Sequence, residues 1–175
     1  PIVLTGANSA LPHGHSSESN IIKKGDALLF DFGATYQGYN ADITRTFFII
    51  EADEYQRAAY HNVLEANKIG IKNSIISKTM HDVDNETTLV LENGDYNNFI
   101  VHKTGHGLGL DVHEDPYIVR GNNSPLEIGM IITVEPGLYL PGKFGIRIED
   151  DVVITDKDPN VLTSFSKDLR IINNE

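Results

Sequence analysis

The stretch HKTGHGLGLDVHEDP, residues 102–116, sets three histidines and three acids among three glycines. A lone imidazole is usually structural, but three in one segment point to metal chemistry, for which neutral imidazole is a common ligand. His102 and His106 stand four apart, as two ligands on a helix would. Gly105, Gly107 and Gly109 argue against helix there, and no glutamate follows His102 as an HExxH zinc motif requires. Glycines instead let the backbone approach closely and leave room around His106.

Such an imidazole needs partners, and the chain places acids where water is scarce. Asp31 lies inside LLFDFG and Glu135 inside IITVEPG. An ionised carboxylate in a buried strand costs several kcal/mol unless it is paired or coordinated. Strand alternation puts apolar residues on both faces around Asp31, which predicts that it does not reach bulk water. Each acid taken alone could simply accept backbone or arginine hydrogen bonds. Asp42 precedes ITRTF, with Thr44 and Thr46 on its face. Glu149, Asp150 and Asp151 lie in IRIEDDVVIT, where Glu149 shares a face with Arg147 and Asp151, and Asp150 shares the other with Ile146 and Ile148. Periodicity does not choose among these three. Four carboxylates, one imidazole and no thiolate form a hard, oxygen-rich set suited to two divalent ions of the manganese, cobalt or zinc type. Two dications balance four anions, and a pair about 3.5–4 Å apart activates water and polarises a carbonyl.

The elements that must position these groups are strands at 27–33, 43–50, 130–137 and 146–155, rich in β-branched and aromatic residues. Between them lie two helices. One begins after Asp53 as N-cap, with Ala59, Val63 and Ala66 at helical spacing. The other opens at Thr79, with Asp82 completing a capping box, and stops near Gly94. The sum is a single α+β domain. GDALLFDFG (25–33) also aligns without gaps to GMIITVEPG (129–137), so Asp31 corresponds to Glu135, and His13 roughly to His113. A duplicated half-domain would bring the two acids together on facing strands.

Composition bounds the class. A net charge of −11 argues against nucleic-acid and anionic-membrane partners, because like charges repel. No apolar run is long enough to span a bilayer, and no signal peptide is visible. The absence of cysteine excludes disulfides and favours the cytoplasm. The start at Pro1, without methionine, suggests the C-terminal portion of a longer chain.

The motifs together resemble the pita-bread metallopeptidases, which include methionine aminopeptidase, aminopeptidase P and prolidase. The resemblance covers essentially all 175 residues. DFGATYQGYNADITRTF matches the family's paired aspartates, TGHGLGLDVHEDP its histidine segment, and TVEPGLY and GIRIEDDVVIT its two glutamates. It implies the pita-bread (creatinase/aminopeptidase) fold, with pseudo-twofold halves of which the first is truncated. Metal ligands would be Asp31, Asp42, His106, Glu135 and Glu149. Asp42 and Glu149 would bridge two ions, Mn2+ or alternatively Co2+ or Zn2+. NSALPHG points to the proline-specific branch, with His13 and His113 contacting substrate and His102 beside the site; Arg147 or Arg120 would meet a substrate carboxylate. The implied activity is hydrolysis of the bond before proline by a hydroxide bridging the ions, with Glu135 relaying the proton. Substrates would be short proline-containing peptides cut by a prolidase-like dipeptidase; the alternatives are an aminopeptidase P or an inactive metal-binding fragment. Full-length relatives imply a homodimer.

Overall fold

Residues rich in β-branched and apolar side chains form an antiparallel sheet at the start of the chain. In the computed structural model, which describes residues 1–94 and 96–173, β1 (Ile2–Thr5) pairs with β2 (Ala27–Tyr36), and β2 with β3 (Tyr39–Ile49). The strands expected at 27–33 and 43–50 are thus longer. The intervening polar stretch is ladder, reversed at Gln37 and Gly38, whose φ of 50° and 88° give the two left-handed residues a tight hairpin needs. Register sets Asp31 opposite Thr44 and Gly33 opposite Asp42, so the two aspartates are diagonal neighbours on one face. The expected sealing of Asp31 is corrected. Beyond it the hairpin leaves the core, Phe32 is 50% exposed, and the Asp31 side chain keeps 18% exposure.

Both helices start where their caps predict. Asp53 accepts from Gln56 N and Gln56 answers to Asp53 N, opening α1 (Glu54–Asn73). Thr79 and Asp82 do the same for α2 (Met80–Asn93), which Gly94 ends. Ala59, Val63 and Ala66 of α1 are fully buried against Phe48, Leu138, Ile146 and Ile148. Met80 and Val83 of α2 pack on Ile132, Val134 and Val152. Burial of each valine, leucine, isoleucine, phenylalanine or methionine among these contributes roughly 1.5–3 kcal/mol. Among the described residues, no helix is long and apolar enough to cross a membrane.

The second half contains β4 (Gly105–Gly107), β5 (Glu114–Ile118), β6 (Ile131–Val134), β7 (Gly137–Leu140), β8 (Phe144–Arg147), β9 (Asp150–Val153), β10 (Asn160–Val161) and β11 (Ile171–Ile172). One sheet runs β10-β9-β6-β4-β5; β7 and β8 pair separately, and β11 joins β3 in parallel. The strand expected at 146–155 is therefore two. Ile148 N bonds Pro136 O and Glu149 N bonds Thr44 O, taking both residues out of the flanking ladders. Pro136, without an N–H, likewise ends the strand expected at 130–137. The facing of side chains survives the break: Asp150 turns to Arg45, Lys167 and Thr163, whereas Arg147, Glu149 and Asp151 turn toward the first sheet's acids.

The repeat seen in sequence has a backbone counterpart. Gly25 and Gly129 both adopt left-handed φ, 82° and 91°. Gly25 N donates to Ile49 O, and Gly129 N to Ile154 O. Each begins a segment that enters an antiparallel pair, β2 with β3 and β6 with β9.

Candidate metal centre

The broken strand brings Glu149 onto the face that carries Asp31 and Asp42. The ligand atoms of Asp42, His106 and Glu149 lie within 4.8 Å of one another, and all three residues are buried. Glu135 Oε1 is 3.3 Å from His106 Nε2. Asp31 adjoins Asp42 and pairs with the Arg147 guanidinium. All five line one cavity of about 630 Å3, together with His13, His102 and His113. His106 reaches it because β4 is pressed onto β6: a Cβ at Gly105 would stand 1.9 Å from Thr133 O, so only glycine fits. Thr133 Oγ1 accepts from His106 N, and Thr104 O accepts from Glu135 N, fixing the two side chains' origins.

Charge is crowded here. Burial, then repulsion from Asp31, raises Asp42 to about 6. Burial raises Glu135 to about 7, opposed by Arg147 and reinforced by Asp42. Glu149 is pushed well up by burial and by Glu135 and Asp42. Burial lowers His106 to about 4. Its Nδ1 sits 2.9 Å from Gly107 O and must carry the proton, so Nε2 presents a lone pair to the cavity. The His106–Glu135 contact at 3.3 Å therefore involves a neutral imidazole and is not an ion pair. Four carboxylates face the Arg147 guanidinium, with Lys103 the other permanent side-chain cation on the cavity wall, so formal negative charge is in excess. That excess, with an imidazole lone pair aimed among them, fits divalent cations with oxygen and nitrogen ligands.

A supporting layer surrounds these groups, and pattern reading missed most of it. Thr44 Oγ1 donates to Glu149 Oε2 at 2.5 Å and accepts from Arg147 Nε at 3.1 Å. Asn67 on α1 donates to Val134 O and Ile148 O, the carbonyls just before Glu135 and Glu149. Asp151 Oδ2 accepts from Asp42 N. Tyr139 OH accepts from Arg147 Nη1 and lies 2.7 Å from His102 Nε2. Nothing in local periodicity marks a threonine or tyrosine in a strand as functional, since both are common there.

The same layer engages two of the residues expected beside the substrate. Arg147 is buried, and its donors are committed to Asp31, Thr44, Tyr139 and Pro12 O. It serves as an internal counter-charge to the acids of the cavity. His102 gives Nδ1–H to Lys103 O and takes the Tyr139 hydroxyl proton at Nε2, so neither nitrogen is free for substrate. His13 and His113 are exposed on the cavity wall, the His113 ring 4.3 Å from that of His106. Arg120 pairs with Glu92 on α2 and does not line the cavity.

Comparison with known proteins extends these findings. The model of metallopeptidase family M24 matches residues 1–156. The Xaa-Pro dipeptidase of Pyrococcus furiosus is 39% identical over 168 residues, covering 96% of this chain and 48% of that protein. The structure of recombinant prolidase from Thermococcus sibiricus superposes with a TM-score of 0.95 at 42% identity, over 98% of this chain and 46% of that one. X-Pro aminopeptidase from Thermotoga maritima gives 0.93 at 41% identity, over 98% and 48%. The chain thus spans about half the length of the relatives it matches, and its α+β architecture is the pita-bread fold of prolidase structures. The Asp42–His106–Glu149 cluster falls inside the matched segment, and the chain belongs to metallopeptidase family M24.

Proposed function

We propose that residues 1–175 form the catalytic domain of a metal-dependent peptidase that cleaves the bond before proline in short peptides, in the manner of a prolidase. The convergence of Asp42, His106 and Glu149 carries this reading. Glu135 and Asp31 complete the ligand set, and the cavity has the size of a small-molecule site. Two divalent ions bound there would bring the pKa of a water toward neutrality and polarise the scissile carbonyl. Glu135 then accepts the water's proton and returns it to the leaving nitrogen, which before proline is a secondary amine and must be protonated to depart. His113 and His13 on the wall donate hydrogen bonds to the oxygen that gains charge. Arg147 holds Asp31, and Thr44 holds Glu149, so neither carboxylate swings out of place.

The proposal takes manganese as the metal, in keeping with the oxygen-rich donors. It also takes the cytoplasm as the compartment and a homodimer as the full-length assembly. Likeness to the Thermotoga maritima X-Pro aminopeptidase favours a second reading, in which longer Xaa-Pro peptides are cut. Turnover of Xaa-Pro against Xaa-Pro-Yaa with Mn2+ tests the choice: preference for the dipeptide supports the prolidase reading, and preference for the tripeptide supports the other. Absence of turnover on both, with metal bound, contradicts the peptidase reading for these 175 residues and leaves a metal-binding fragment, in line with their spanning half the relatives' length.

A further inference from the structure

A dipeptide ending in proline carries a free carboxylate one residue beyond the cleaved bond, and the cavity it must enter is walled by acids. We propose that the Lys103 ammonium receives this carboxylate and selects peptides that end at proline; the inference rests on the peptidase reading above. Two permanent cations are found among the side chains lining the cavity, Arg147 and Lys103. Arg147 is consumed by Asp31, Thr44 and Tyr139. Arg120 is turned away to Glu92.

Lys103 is different. Its Nζ sits 3.7 Å from the centroid of the Tyr117 ring, and among the described residues it has no carboxylate at ion-pair distance. A ring face holds an ammonium by its quadrupole but brings no net charge. Lys103 is therefore positioned without being neutralised. It is half-buried, which strengthens an interaction with an incoming anion relative to open water. It stands three positions before His106, so the two Cα atoms are within roughly 11 Å. One proline residue spans about 3.5 Å between the cleaved bond and the carboxylate, within the compass of a flexible four-carbon stem. His13, His15 and His113 share the wall and can hydrogen-bond, but none carries a permanent charge. A third substrate residue would put a neutral amide before Lys103 and move the carboxylate outward.

The test compares Ala-Pro with Ala-Pro amide on Mn2+-loaded protein, as the ratio of their kcat/KM values, in wild type, Lys103→Met and Lys103→Arg. The expected result is a wild-type preference for the free acid that falls about 10- to 100-fold in Lys103→Met, through KM, and is largely kept in Lys103→Arg. An unchanged ratio in Lys103→Met, or no preference in wild type, overturns the inference while leaving the peptidase reading intact. If wild type cleaves neither compound, the peptidase reading fails. Calorimetric binding of L-proline against L-prolinamide then decides. Tighter binding of proline that is lost in Lys103→Met upholds the carboxylate receptor, and equal or absent binding of the two overturns it.

Discussion

Thr44 shows how a residue with no chemistry of its own can govern the site. Its hydroxyl orients Glu149 and takes a hydrogen bond from Arg147, so Thr44→Val should keep the fold and weaken Mn2+ affinity about 10- to 100-fold in a calorimetric titration. Glu135→Gln keeps the shape but removes the proton acceptor. It should lower kcat by about 10^2–10^4, measured beside metal content so that lost ions and lost base are told apart. Residues differ in how plainly they announce themselves. Asp31 and Glu135 were legible because an acid inside an apolar strand needs a reason. Arg147 was legible as a cation near the acids, but not as one already spent, since its partners come from Thr44, 103 positions away, and Asp31, 116 away. Thr44 and Tyr139 gave no signal at all.

Elements were most legible where a local rule acts. The N-cap at Asp53 and the capping box at Thr79 named the helix starts, and Thr79→Ala should cost about 1 kcal/mol and lower Tm by roughly 2–4 °C. Asp82, in the same box, accepts the Thr79 N–H and hydroxyl, which hold its pKa below 3.8. A depressed carboxylate stabilises the fold at neutral pH and loses that contribution as pH falls through its folded pKa. The Tm difference between wild type and Asp82→Asn should therefore persist at pH 7 and shrink below about pH 4. Elements ruled by tertiary bonds were not legible. The Gln37–Gly38 hairpin hid in a polar stretch, and the break at Ile148–Glu149 is made by Pro136 O and Thr44 O. Asn67 bridges the two glutamate-bearing segments from α1, so Asn67→Ala should cost about 1–3 kcal/mol in urea unfolding and weaken Mn2+ binding as well.

At the scale of the molecule, the β2–β3 hairpin brings Asp31 and Asp42, and the second half of the chain brings His106, Glu135 and Glu149, to one cavity where each carboxylate's charge makes the others costly alone. The repeat of Gly25 and Gly129 with their strands was readable in the sequence because glycine's left-handed φ constrains both. How the halves meet was not, because that depends on core packing between α1 and β8. Dications at the junction should bind the folded state alone. Mn2+ at about 100 times its Kd should then raise Tm by roughly 5–10 °C in thermal scans, reversed by a chelator. The most direct measurement is an anomalous difference map at the manganese edge from crystals soaked in Mn2+. The expected result is two peaks about 3.5–4 Å apart among Asp31, Asp42, His106, Glu135 and Glu149. A map with no peak in that cavity, or with manganese held only elsewhere, would contradict the shared metal centre.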